Sequence, residues 1–306
     1  MIYFWIIFNV CAVAALALDV MWLRHPGRPV GLREALLRSG VWVAVAAAFA
    51  VVLHYWLGHQ AALEFVTGYV IELSLSVDNL FVFLLVFQYF AVPEEQQHRV
   101  LFWGILGALL MRGVFILAGV GLLHRFHAIF YALGALLVFS GIRLLIGRAR
   151  PTDPSRNPLV RLIRHWFPVT GQYAGGKFLV RGAAGVSVTP LLLVLLVIET
   201  TDLLFAVDSI PAVLAITLNA FVVYTSNVLA ILGLRSLYFA VSGLMRRFRF
   251  LHYGLALVLI LTGLKMLLAD RYPISTLTTL SVVAATLGIA LVISLARPGK
   301  AENAGQ

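Results

Sequence analysis

The sequence predicts an all-α fold, a polytopic membrane helix bundle of about nine transmembrane helices. Three observations carry this expectation. Of 306 residues, 61% are hydrophobic and 12% charged, with a mean hydropathy of +0.97, whereas soluble proteins average roughly 25% charged residues. The apolar residues fall into runs of about 20, the length a helix needs to cross a bilayer. Basic residues collect in every second segment between those runs. A net charge of +10 would suit a nucleic-acid partner if it were clustered on a soluble domain. Spread between spans it reports topology instead, and no nucleic acid is expected.

The first run, 2–22, opens Met-Ile-Tyr-Phe-Trp, without a basic segment or a following small-residue cleavage site, so it reads as a retained helix rather than a signal peptide. Asp19 near its end reads as an interfacial charge beside Arg24. With the second run, 40–57, it makes a peripheral region, 1–62. Runs 63–90, 100–122 and 127–147 form a first three-helix unit, 63–147. The linker 148–187 is the one sizeable polar stretch. It begins with the breaker-rich segment Arg150 to Pro158 and continues through Leu159 to Phe167, whose mixture of apolar residues with Arg161, Arg164 and His165 suits a short helix on an anionic membrane surface. An interfacial linker is the favoured reading of this basic loop, with a docking place for a protein partner as the alternative. Runs 188–216, 221–244 and 252–269 form a second unit, 188–269, and the run 276–296 lies in a last segment, 270–306.

Arginine and lysine set the orientation. The segments after the odd-numbered runs carry Arg24, Arg28, Arg33, Arg38, Arg99, the basic residues of the linker, Arg246, Arg247, Arg249, Arg297 and Lys300; the opposite segments carry Arg125 and Arg271. The expectation is a multi-pass plasma (inner) membrane protein with its N-terminus outside and its C-terminus cytoplasmic. His54, His59, His124 and His127 then fall toward the outer face. Their ordinary pKa near 6.5 fits external pH sensing, but interfacial histidines without that role are commoner. The single cysteine, Cys11, leaves no intrachain disulfide and no cysteine metal cluster.

Two segments place carboxylates at bilayer depth: Glu72-Leu-Ser-Leu-Ser-Val-Asp78-Asn79, and Asp202-Leu-Leu-Phe-Ala-Val-Asp208-Ser209 with Glu199 a turn upstream. Each such charge costs a few kcal/mol, so it persists where it faces a bundle interior and has a task there. Aligning Glu72 with Asp202 superposes Asp78 on Asp208. In the expected topology the two copies run in opposite directions, which predicts two inverted three-helix repeats with their acidic motifs together near the midplane. On one ideal helix, Glu72, Ser76 and Asn79 share a face, while Asp78 leaves about 120° away. Either the two acids address different neighbours or the helix unwinds. Pro211 gives the second copy a reason to unwind, because it removes an amide donor.

Arg112 and Arg235 lie mid-span in the helices after each motif, as counter-cations to the acids. Intramembrane salt bridges, for example Asp78 with Arg112, would account for single carboxylates, but five carboxylates against two guanidiniums leave a surplus of negative charge for protons or a metal cation to meet. Oxygen ligands from Asp, Glu, Asn and Ser suit Mn²⁺, Mg²⁺ or Ca²⁺, and the absence of neighbouring Cys or His argues against Zn²⁺ and Cu⁺. The expected ion site is Glu72, Asp78, Asn79, Glu199, Asp202 and Asp208, with the metal as cargo and no prosthetic group.

The segments Glu72 to Phe83, Gln97 to Gly104, Thr189-Pro-Leu, Glu199 to Pro211 and Tyr224 to Phe239 resemble the TerC family, in order and across residues 60–270. That family includes Alx-type manganese exporters and is grouped with LysE-type transporters. The resemblance implies Mn²⁺ efflux, with the acidic motifs as the ion path, and an association with tellurium resistance. Two rivals are weighed. An intramembrane aspartyl protease would need a Gly-x-Gly-Asp segment, which is absent here, so no enzymatic activity is expected. A membrane scaffold for metal delivery or stress complexes would use the same fold without moving an ion.

Overall fold

The computed structural model describes residues 2–22, 31–125, 128–146, 168–170, 172–182, 185–244, 251–269, 271–272 and 274–296. Among them are ten α-helices. They are α1 (Ile2–Trp22), α2 (Leu32–Leu57), α3 (His59–Tyr89), α4 (Glu94–Arg125), α5 (Ala128–Ile146), α6 (Pro190–Leu214), α7 (Ala220–Leu232), α8 (Leu234–Leu244), α9 (Leu251–Leu268) and α10 (Thr276–Ala296). Every apolar run read in the sequence becomes helix, and the seventh is divided in two. Five helices are long and apolar enough to cross a membrane, and α7 with α8, bent by 43°, makes a sixth if counted as one span. Parts of α1, α5 and α9 are apolar but shorter.

Local chemistry explains the boundaries. Helix α2 starts before its apolar run because Arg38 pairs with Glu34 one turn earlier, which supports a solvated first turn. Gly58, at φ 92°, turns the chain straight from α2 into α3, a backbone state that favours glycine. Pro190 occupies the first turn of α6, where its missing N–H costs nothing. Asn219 caps α7, its Oδ1 accepting from the amides of Phe221 (3.1 Å) and Val222 (3.4 Å). The expected unwinding at Pro211 does not occur: α6 stays helical through it to Leu214. The break falls instead at Gly233, where an added Cβ would lie 3.3 Å from the Cβ of Trp42 on α2.

The bundle is apolar outside and polar within. Val41, Val51, Leu110, Val114, Leu204 and Val292 are exposed, while Glu72, Arg112, Asp202 and Arg235 are buried. That is the reverse of a soluble protein and suits a lipid solvent. Helix α3 packs on α6 and α7, α4 packs on α6 and α7, and α5 packs closely on α9. Rising positions on α5 meet falling positions on α9. An added Cβ at Gly134 would lie 3.1 Å from the Gly263 carbonyl, and one at Gly141 would lie 2.7 Å from the Ala256 carbonyl, so the two helices are antiparallel and nearly in backbone contact. Helices α3 and α6 are antiparallel by the same test. Gly68 faces Val213, while Glu72 shares the guanidinium of Arg112 with Ser209. Helices α4 and α6 run parallel, with Gly104 facing Ile198, Gly107 facing Glu199 and Gly119 facing Leu214.

A feature not read in the sequence lies at one end of the bundle. Strands β1 (Leu179–Gly182) and β2 (Gly185–Val188) form an antiparallel hairpin, with Leu179 opposite Val188 and Gly182 opposite Gly185. Residues before it are tied to the helices: Arg99 donates to the Gly176 carbonyl at 2.6 Å, and the Tyr173 hydroxyl to the Phe90 carbonyl at 2.6 Å. Burial raises the Tyr173 phenol above its ordinary pKa, which keeps it a donor. The interfacial helix expected at 159–167, most of the linker before it and the tail after 296 lie outside the described residues.

Candidate functional site

The centre of the bundle is organised by Arg112. It lies on α4, its guanidinium pairs with Glu72 of α3, and two of its nitrogens reach Asp202 of α6, Nη2 to Oδ1 at 3.2 Å and Nε to Oδ2 at 3.5 Å. Nη1 also donates to Asn227 Oδ1 on α7 at 2.8 Å and to Ser209 Oγ on α6 at 3.3 Å. Four helices therefore meet on one guanidinium, whose planar fork suits several oxygens at once. Glu72 is 0% exposed, Arg112 2% and Asp202 4%, so the group is shielded from solvent.

One arginine holds two carboxylates, and the group is not saturated. Glu72 Oε2, Ser76 Oγ and Asn227 Nδ2 are buried without a hydrogen bond of good geometry, although the Asn227 amide lies close to the Glu72 carboxylate. Buried polar groups are rarely left so, and each is costly in a low-dielectric interior. Glu72 and Asp202 supply hard carboxylate oxygens, and Arg112 supplies the positive charge that faces them. Among the described residues no three Asp, Glu, His or Cys side chains converge into a ready metal cage.

The structure treats the remaining expected residues differently. Glu72 and Asp202, the two aligned positions, share Arg112. Asp78 and Asp208 lie within continuous α3 and α6, but their side chains are outside the described residues. Asn79 is buried on α3. Glu199 lies half-buried on α6, its carboxylate against Gly107 of α4. Arg235 is buried on α8, within electrostatic reach of His98, away from Arg112. His54 and His59 lie with ring centroids 5.4 Å apart, across Gly58.

Sequence reasoning did not single out Asn227 and Ser209 as partners of Arg112. An asparagine and a serine inside apolar helices were the available signal. Lys265 is half-buried near Glu64 of α3, which in turn accepts from Gln60 at 3.0 Å.

Comparison with known proteins agrees with this architecture. Residues 57–302 match the integral membrane protein TerC family. An uncharacterised membrane protein of Myxococcus xanthus is 42% identical over 95% of the chain and 91% of its own length. Proteins of Salmonella typhi and Escherichia coli K12, both named Alx and described provisionally as membrane-bound redox modulators, are 40% and 39% identical over 94% of the chain and 92% of theirs. No solved structure matches the chain.

Proposed function

The chain belongs to the TerC family of integral membrane proteins, and from that premise we propose that it is a secondary transporter exporting a hard divalent cation, Mn²⁺ foremost. The observation that carries the reading is the shared guanidinium. Arg112 neutralises two carboxylates on antiparallel helices in the middle of an apolar bundle and leaves Glu72 Oε2 without a hydrogen bond of good geometry. Such an arrangement can exchange its internal cation for an external one. An incoming metal competes with Arg112 for the same oxygens, and the arginine returns when the metal leaves. Binding stays weak enough for release because it must displace an existing ion pair.

Two inverted units, α3 to α5 and α6 to α9, give the site access to each face in turn. The antiparallel pairings of α3 with α6 and of α5 with α9 support that relation. The ion path in this reading comprises Glu72, Asp78, Asn79, Glu199, Asp202 and Asp208, with Arg112 and Arg235 as counter-cations, and the basic linker and C-terminus lie in the cytoplasm. A redox role, the description carried by the Alx relatives, would act through the metal supply rather than through thiol exchange, since Cys11 has no second cysteine to pair with.

Reconstituted protein should move Mn²⁺ across liposomes containing no other protein, and Asp78→Asn and Asp208→Asn should each lower the rate at least tenfold, because a charged hard ligand is lost with little change in volume. A scaffold would move no ion in this assay. Unchanged transport in correctly inserted Asp78→Asn and Asp208→Asn proteins would remove both residues from the path.

A further inference from the structure

On α6, Glu199 stands one turn before Asp202, about 4.5 Å along the axis at 1.5 Å per residue, on the same side of the helix. Its carboxylate lies directly over Gly107 of α4, so closely that a Cβ built on that glycine would overlap it. The three nearest atoms to that Cβ all belong to the Glu199 carboxylate and none to the α6 backbone. The glycine therefore makes room for a charged group rather than for close helix approach. Gly104, one turn earlier, shows the contrast: a Cβ there would meet Ile198 at an ordinary 3.4 Å.

Among the described carboxylates of the expected ion site, Glu199 is also the one that the central arginine does not serve. Arg112 is engaged with Glu72 and Asp202, and among the described residues no ion pair or hydrogen bond reaches Glu199. The hydroxyls beside it are turned elsewhere: Thr200 donates to the Leu196 carbonyl at 2.6 Å and Thr201 to the Val197 carbonyl at 2.7 Å. Back along α4 from Gly107 lie Gln97, which accepts from the Tyr238 hydroxyl, and Arg99, bound to Gly176 before the hairpin. Glu199 thus lies between the hairpin end and the Arg112 centre. Beyond it, Glu72 Oε2, on a fully buried side chain and without a hydrogen bond of good geometry, offers a cation its destination.

Resting on the transport reading above, we propose that Gly107 is a positioning residue that seats the Glu199 carboxylate as the first anionic ligand a divalent cation meets between the hairpin end and the Arg112 centre. A cation arriving from that end meets Glu199 without having to displace a guanidinium. One helical turn then carries it to Asp202, where it competes with Arg112. A methyl group at residue 107 would push the carboxylate out of the seam and leave the central ion pairs in place.

The test is Mn²⁺ transport by the full-length protein in liposomes, read as half-saturating concentration and maximal rate separately. Gly107→Ala and Glu199→Gln should each raise the half-saturating Mn²⁺ concentration on the order of tenfold, the scale of one charge-assisted contact, with maximal rates within about twofold. The double variant should be no worse than either single one, because both changes remove the same seated carboxylate. Gly104→Ala should behave as wild type. Additive effects, or unchanged half-saturation in Glu199→Gln, overturn the proposal, and Glu199→Gln carries the test alone should Gly107→Ala fail to fold. Wild-type protein that moves no cation overturns the transport reading and this proposal with it, whereas a transporting wild type with unaltered variants overturns this proposal only.

Discussion

Arg112 gathers Glu72, Asp202, Ser209 and Asn227 from three other helices, and its removal should be the most informative single change. Breaking a buried ion pair by deleting one partner leaves an uncompensated charge, at a cost of about 3–5 kcal/mol. Arg112→Gln should therefore lower the melting temperature of the detergent-solubilised protein. If the guanidinium stands in for the transported cation, added Mn²⁺ should restore much of that loss, and should stabilise the variant more than the wild type. A melting temperature lowered equally with and without Mn²⁺ would reduce Arg112 to a structural tie. Asp78, Asp208 and both arginines were legible in the sequence because ionisable groups stand out in apolar runs. Asn227 and Gly107 were not, because a neutral amide and a missing side chain become informative only through what faces them.

The helices were legible with starts up to eight residues from those expected, and where they differ from expectation the cause is local. The sequence offered Pro211 as the place where a span would break, yet α6 continues through it, since neighbouring helices hold it along its length. The bend falls at Gly233, where Trp42 of α2 presses against the backbone and Leu234 begins a new axis. Helices α5 and α9 are joined by the opposite device, glycines that admit backbone to backbone. Gly141→Val or Gly263→Val must part that seam, since even a Cβ would lie 2.7 Å from the Ala256 carbonyl in the first case and 2.6 Å from the Gly134 carbonyl in the second. Overpacking of this kind typically costs about 1–3 kcal/mol. Thermal unfolding should register the loss, and Gly288→Ala, which meets nothing within 4 Å, should not. Equal stability of all three variants would deny the seam any role in holding the two halves together.

For the whole molecule the decisive property is direction. The arginine and lysine distribution predicts that the linker near residue 160 faces the cytoplasm and that Tyr272 faces outward. Single cysteines placed at Val160 and Tyr272 in a Cys11→Ser background should be labelled from opposite sides of sealed vesicles by a membrane-impermeant maleimide. Labelling of both from one side would contradict the inverted arrangement. It would also leave the antiparallel packing of α5 against α9 as an isolated contact rather than part of a repeat. The segment before the hairpin, fastened through Arg99 and Tyr173 to the ends of α4 and α3, lies at the end where the linker joins, so the same labelling identifies the face on which the hairpin lies.

By itself the sequence determined the solvent, the helices and the unusual charges. Apolar runs of bilayer length admit one backbone solution, because a helix satisfies its own polar groups where water is absent, and a carboxylate in such a run cannot be explained by composition. Basic residues between the runs carried the expected topology. Which charges meet was decided by the tertiary structure alone. A guanidinium reaches several oxygens only when three other helices deliver them at the same depth, and Glu72, Asp202, Ser209 and Asn227 lie 40 to 115 residues from Arg112 along the chain. The same holds for Glu199, whose seat is a glycine 92 residues away, by difference from Gly107. Period and composition describe each helix against its surroundings, whereas the site is a property of the contacts between helices.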